Sequence, residues 1–171
     1  PLGYWERNPA AKVFEPLRQG RPGMYPLRFG DRLTDGHFDR YDEEGIPVRS
    51  HRYDSSRTTH LYSTIFTYAL AHWDRYVESG APGSRDALVQ VADYALATAH
   101  TIEGQGLVLR GPGRDGAEHS GQTCALSQGE AMSVFVRAAS ATGQSEYVDA
   151  AVACLGAFHR CPDQNGVRMV V

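Results

Sequence analysis

The sequence predicts a mainly α fold, an incomplete (α/α) toroid of helical hairpins behind an irregular segment rich in loops and short strands. Three observations point there. Four stretches carry apolar residues at helical spacing, they fall into two pairs with short connections, and the first 58 residues show no sustained helical period. Two domains follow from this: a loop and short-strand segment over 1–58 and a helical domain over 59–171. The close of the second, Val167-Arg168-Met169-Val170-Val171, reads as a strand just beginning.

Within 1–58, Arg21-Pro22-Gly23, Pro26, Asp35-Gly36, Glu44-Gly45 and Pro47 punctuate the chain with turns, and the segment reads as wrapped on something else. Residues 59–79 form the first helix. Tyr62, Ile65, Phe66, Ala69, Leu70, Trp73, Tyr76 and Val77 make one apolar stripe, Thr59 is the predicted N-cap, and Gly80, Pro82 and Gly83 end it. Ser84 is the predicted cap of a second helix, with Asp86 in its first turn and a stripe of Leu88, Val91, Ala92, Ala95, Leu96 and Ala99. A glycine-rich loop spans about 103–122, with Leu107-Val108-Leu109 as a short strand inside it. The third helix is expected from Ser127 to Thr142, and Gly143 breaks it. Ser145 is expected to cap the fourth, which runs through Tyr147, Val148, Ala151, Val152, Leu155 and Phe158 to about Arg160, where Pro162 closes it. Each helix is amphipathic, so each hairpin needs a neighbour to bury its stripe.

Composition bounds the function. The 171 residues suffice for one real core, and 42% hydrophobic with 22% charged residues is ordinary for a globular protein. A net charge of -3 gives no field for a polyanion, and no nucleic-acid-binding stripe appears. Among the basic residues Lys12 is the single lysine; the remainder are Arg, whose planar fork grips carboxylates and sulfates in two places, although codon bias in a GC-rich genome is the simpler account of such a bias. Cys124, Cys154 and Cys161 form no C-x-x-C pair and are odd in number, which argues against a disulfide framework or a zinc site. Seven residues apart, Cys154 and Cys161 are expected to share a helix face as small hydrophobes. No apolar run reaches the roughly 18 residues of a membrane span. Pro1-Leu2-Gly3-Tyr4-Trp5 is no signal peptide, which in a bacterium means the cytoplasm, and both ends read as cut from a longer chain.

Three stretches carry chemistry. Ser127-Gln128-Gly129-Glu130 has the spacing of a capping box, in which Ser127 bonds the residue 130 amide and Glu130 reaches back. Alternatively the Gln128 amide, at a helix start, meets sugar hydroxyls or a carboxylate, and Gly129 lets the chain approach a ligand or a neighbouring helix. The acidic stretch from Asp35-Gly36-His37-Phe38-Asp39 through Arg40-Tyr41-Asp42-Glu43-Glu44 to Gly45-Ile46-Pro47 is expected to be a solvated loop turning at Glu44-Gly45, because it lacks the oxygen-ligand spacing of a calcium loop. His60 and Tyr62, in Arg57-Thr58-Thr59-His60-Leu61-Tyr62, sit where they can face a cleft. The other histidines give no metal-ligand spacing, and no metal is expected.

The stretch Gln128-Gly129-Glu130-Ala131-Met132-Ser133-Val134-Phe135-Val136-Arg137-Ala138 resembles the M-A-Q-G-x-A-I-S-x-x-V-R-A segment of D-glucuronyl C5-epimerases. The likeness continues through Thr142-Gly143, Tyr147 and Ala150-Ala151. Phe38-Asp39 to Glu44-Gly45-Ile46-Pro47, Tyr62 to Trp73, and Gln164-Asn165-Gly166-Val167 support it, so that the resemblance spans roughly 25–171.

The resemblance implies an α/α helical domain, a homodimer, and C5 epimerisation of glucuronate in a heparosan-like polysaccharide by proton abstraction and reprotonation. No cofactor is implied, nicotinamide included. Such chemistry must neutralise the carboxylate beside C5 and place proton donors and acceptors on both faces of the ring. The family's catalytic Tyr and Glu lie mostly after the strand that starts at Val167, so the resemblance places them beyond Val171. Gln122-Thr123 stands where the family often has Trp-Tyr. Tyr62, Gln128, Glu130, Arg137 and His60 remain as candidates to line a substrate groove, on a chain that is either an active epimerase or an inactive fragment. Two rival readings are a toroid glycoside hydrolase or uronate lyase, pairing Glu130 with Asp39, Asp42, Glu43 or Glu44, and a non-catalytic glycan-binding module.

Overall fold

A computed structural model describes residues 22–27, 29–51, 54–102, 106–113, 117–164 and 166–167. The described part is mainly helical: α1 (Tyr62–Ser79), α2 (Pro82–Thr98), α3 (Ala125–Thr142) and α4 (Ser145–Cys154), with four short strands. Strands β1 (Arg49–His51) and β2 (Asp54–Thr59) pair antiparallel, with Arg49 opposite Thr59. Strands β3 (His100–Ile102) and β4 (Gly106–Val108) do the same, with His100 opposite Val108. The short strand expected around Leu107 is therefore present, as half of a hairpin. Of the strand expected over 167–171, only Val167 is described, where its amide donates to the Ala157 carbonyl at 2.9 Å; the remainder falls outside the described residues.

Both helical hairpins form, and the αL glycines explain their ends. Gly80 (φ 69°) donates its amide to the Tyr76 carbonyl, and Gly143 (φ 78°) donates to Ala139, each at 2.8 Å. The helix starts differ from the sequence expectations. Thr59 does not cap α1, because it is the last residue of β2 and its backbone belongs to that ladder; the helix opens three residues later, behind an extended Leu61. Pro82 begins α2 rather than ending α1, a position where its fixed φ and missing N–H cost nothing. Ser84 consequently lies inside the helix, buried, with its hydroxyl 3.3 Å from His72 Nδ1, and Asp86 falls beyond the first turn. Helix α3 opens two residues early, at Ala125, so Ser127 and Glu130 form no capping box. Ser145 is the first residue of α4 and not its cap, which is Gln144. After Cys154 the coil tightens to a 3₁₀ turn, Leu155–His159, and Pro162 opens another, Pro162–Gln164. Cys154 is buried at the end of α4 while Cys161 lies past the tightened turn, so the two share no helix face.

Helix α3 packs against all three other helices, and α1 packs against α2 and α3. Ile65, Phe66, Ala69 and Leu70 of α1, Leu88, Val91 and Ala92 of α2, Val134 and Phe135 of α3 and Tyr147 of α4 form one core. The residues ahead of β1 join it: Leu27, Phe29 and Ile46 are buried in the same cluster. Trp73 and Asp74 pull them in. Trp73 Nε1 donates to the Gly23 carbonyl at 2.9 Å, and Asp74 accepts the amides of Tyr25 (2.9 Å) and Phe29 (3.4 Å). The acidic stretch folds as a turn closed by Gly45 (φ 82°), with Asp42 Oδ1 accepting the Ile46 amide at 2.7 Å. One apolar face stays bare: Val148, Val152 and Leu155 along α4 and its extension are 44–61% exposed. No described helix is long and apolar enough to cross a membrane.

Candidate active-site cavity

Where the 29–51 segment meets the starts of α1 and α3 there is a cavity of about 390 Å³, within the roughly 300–1,000 Å³ of small-molecule sites. Its walls come from three stretches of chain. Phe29, Arg32, His37 and Arg49 supply one, Ser63, Thr64 and Thr67 of α1 a second, Leu126 and Glu130 of α3 the third. Ser63 and Leu126 sit in first helical turns that no side chain caps, so two positive helix ends border the space.

The polar groups are arranged around two centres. The first is His37. Arg32 Nη1 (3.1 Å) and Arg49 Nη2 (2.9 Å) both donate to its Nε2, since a guanidinium can only donate. That nitrogen therefore carries a lone pair and the ring is neutral. Burial and then the two guanidinium charges hold the imidazole below its ordinary range. The ring is anchored from behind, edge-on to Phe38 at 4.9 Å, and Phe38 packs on Tyr68 at 5.1 Å.

The second centre is Glu130, which is only 5% exposed. Its Oε2 is buried without a hydrogen-bond partner. Burial pushes the carboxyl up to about 7, against the pull of the Arg32 charge. An unpaired buried carboxyl oxygen costs roughly 1–3 kcal/mol, so the site holds this group at the expense of stability.

The remaining sequence candidates lie elsewhere. Gln128 is 0% exposed and points into the protein, accepting the Leu109 amide (3.2 Å) while its Nε2 donates to the carbonyls of Leu107 (2.6 Å) and Cys154 (3.2 Å). Arg137 is a buried strut: it donates to the Ser133 (3.1 Å) and Gly23 (3.4 Å) carbonyls and lies over the Tyr25 and Trp73 rings.

His60 and Tyr62 belong to a second cluster at the α1 start, outside the cavity. His60 Nε2 is 2.8 Å from Asp42 Oδ2, and its amide donates to Glu118 (3.2 Å). Tyr62 takes part in a ring of hydrogen bonds with Thr98, Tyr94 and His119. The Thr98 hydroxyl donates to the Tyr94 carbonyl (2.7 Å), so it must accept from the Tyr62 hydroxyl (2.7 Å). The Tyr62 hydroxyl also lies 3.2 Å from His119 Nδ1, and the Tyr94 hydroxyl 3.4 Å from His119 Nε2. Burial lowers the His119 ring below its ordinary range, against a hydrogen bond to the Arg110 backbone, and pushes the Tyr62 phenol up to about 12. His119 adopts the left-handed region (φ 55°) to reach both tyrosines.

Arg32 and Arg49 were absent from the sequence candidates, and His37 entered only within an acidic stretch. The sole hint was the preference for Arg over Lys. Among the described residues no group of His, Cys, Asp and Glu is placed to hold a metal ion.

Residues 113–171, roughly a third of the chain, match the family model described as D-glucuronyl C5-epimerase C-terminus. No curated protein and no solved structure matches the chain. The matched residues hold His119, Gln128, Glu130 and Arg137 with helices α3 and α4; Arg32, His37 and Arg49 lie ahead of them. Over this stretch the chain is similar to part of the C-terminal domain of D-glucuronyl C5-epimerases.

Proposed function

We propose that the cavity takes a glucuronate residue of a heparosan-like polysaccharide and that the protein epimerises it at C5. One observation carries this reading: Glu130 presents a buried, unpaired carboxyl oxygen in the same cavity as two convergent guanidiniums. A hydrogen α to a carboxylate is abstracted only if the charge passing into that carboxylate is stabilised, and Arg32 and Arg49 are placed to do so by bidentate pairing, aided by two helix ends. Burial holds Glu130 where it can both give and take a proton near neutrality. Phe29 and Leu126 supply apolar surface for a sugar face.

The carboxylate-pair chemistry of a glycoside hydrolase has less support. Asp42 is engaged with His60, Asp39, Glu43 and Glu44 are exposed, and none of the four lines the cavity. The toroid arrangement is part of the proposal, supported by two hairpins in sequence order and by the bare apolar face of α4, where a further hairpin would pack.

Incubation in D₂O with a glucuronate-containing oligosaccharide tests the activity. Deuterium is expected at C5 by proton NMR, with appearance of the C5 epimer. Absence of both exchange and binding on any uronate oligosaccharide would end this reading.

A further inference from the structure

We propose that His37 is the second proton-transfer group of the cavity, serving the face of the sugar opposite Glu130. This rests on the uronate reading above and deepens it by naming the partner that inversion requires.

Inverting C5 takes a proton from one face and returns one to the other, so two groups are needed. Among the lining residues only Glu130 and His37 exchange protons near neutral pH; guanidiniums hold theirs, and the Ser and Thr hydroxyls do not ionise. The two come from different walls, Glu130 from α3 and His37 from the loop ahead of β1, with Arg32 next to both.

The decisive detail is what the two guanidiniums hold when no ligand is bound. Their shared acceptor is the His37 Nε2 lone pair. A carboxylate that takes both forks must displace that lone pair while staying beside it, so the freed nitrogen is left next to the carboxylate's α carbon, which is C5. The ring cannot swing far, because Phe38 backs it and the His37 amide is tied to Asp35 Oδ1 at 2.8 Å.

The step balances without a further reagent. His37 Nε2 removes the C5 hydrogen as a proton, and the C–H electron pair passes into the carboxylate, giving an enediolate held by Arg32 and Arg49. The Glu130 carboxyl then gives its proton to C5 from the other face, and the pair returns to form the new C–H bond. Imidazolium and carboxylate remain, and exchange with water resets them. The reverse reaction uses the same two groups with roles exchanged.

A two-group mechanism leaves a signature that a merely structural residue does not. In D₂O, the wild-type protein is expected to exchange C5 of both epimers in an oligosaccharide. His37→Gln and Glu130→Gln are each expected to lose inversion by about 10²–10⁴-fold. Each should keep exchange with one epimer, and the two variants should keep opposite ones. His37→Asn with an unchanged melting temperature controls for folding. If His37→Gln inverts within about tenfold of wild type, or if both variants lose the same epimer, the assignment is wrong. Arg49→Gln separates the two levels. If it binds the oligosaccharide as wild type does, the uronate reading itself fails. If it loses binding while His37→Gln still inverts, only His37 is overturned.

Discussion

Gln128 holds Leu109 in place: its side-chain carbonyl accepts the Leu109 amide at 3.2 Å inside a fully buried environment, joining α3 to the chain that leaves β4. The same side chain donates to Leu107 and Cys154, so three backbone groups depend on one amide. Gln128→Leu keeps the volume but strands all three, and is expected to lower stability by about 2–5 kcal/mol. Urea unfolding would measure it. Oligosaccharide affinity of the protein that remains folded should be unchanged.

Glu130 predicts an exchange of stability against activity. Its folded carboxyl is raised to about 7 from an ordinary 4.5, so the folded state binds the proton more tightly than the unfolded one. That contribution is fully present below about pH 4.5 and is lost as pH rises through about 7. Glu130→Gln removes the penalty. The variant is expected to gain about 1–3 kcal/mol over wild type at pH 8, some 2–10 °C in melting temperature, and little at pH 4. It should at the same time lose inversion. Thermal melts of both proteins at the two pH values decide this.

Arg32 and Arg49 should act on affinity. Arg49→Gln is expected to weaken uronate oligosaccharide binding by about 10–100-fold, and Arg49→Lys by less, because an ammonium keeps the charge but not the fork. Raising salt from 0.05 to about 0.5 M should weaken wild-type binding more than that of Arg49→Gln. Calorimetric titration at two salt concentrations reads both effects.

His119 couples backbone strain to the ring of hydrogen bonds. His119→Ala loses the ring and keeps the unfavourable φ of 55°, whereas His119→Gly loses the ring but relieves the strain. The glycine variant is expected to be more stable than the alanine variant by about 1 kcal/mol, and both less stable than wild type. Tyr94→Phe, which removes the hydroxyl 3.4 Å from His119 Nε2, should cost about 1 kcal/mol. Hydrogen exchange of the 117–121 amides would follow the release of this loop.

The four helices were legible because periodicity reports the buried face directly: Ile65, Phe66, Ala69 and Leu70 line the core as their spacing requires. The helix starts were not. Thr59, Ser84, Ser127 and Ser145 all have cap chemistry, but a strand ladder ending at Thr59 and a proline at Pro82 outrank a hydroxyl, and side-chain caps are absent from all four helices. The site was half legible. Glu130 stood out within its motif, yet its meaning changed from a cap to a buried carboxyl. Arg32, His37 and Arg49 could not be found by spacing, because the fold brings them together from different points of the segment ahead of β2 onto helices that begin later. Gln128 looked like a ligand for sugar and is instead bonded to the backbone, a distinction that only burial reveals.

The cavity wall that carries positive charge and the wall that carries the carboxyl are encoded separately, one in the irregular segment before residue 58 and one in α3. The two are nonetheless coupled, because the Arg32 charge pulls on the Glu130 carboxyl. Within the segment from Arg32 to Arg49, Ile46 belongs to the helical core and Phe38 packs on Tyr68 of α1, so its exchange also disturbs the helices. Cutting the chain at the 58/59 boundary removes Leu27, Phe29 and Ile46 from the shared core together with Arg32, His37 and Arg49 from the cavity wall.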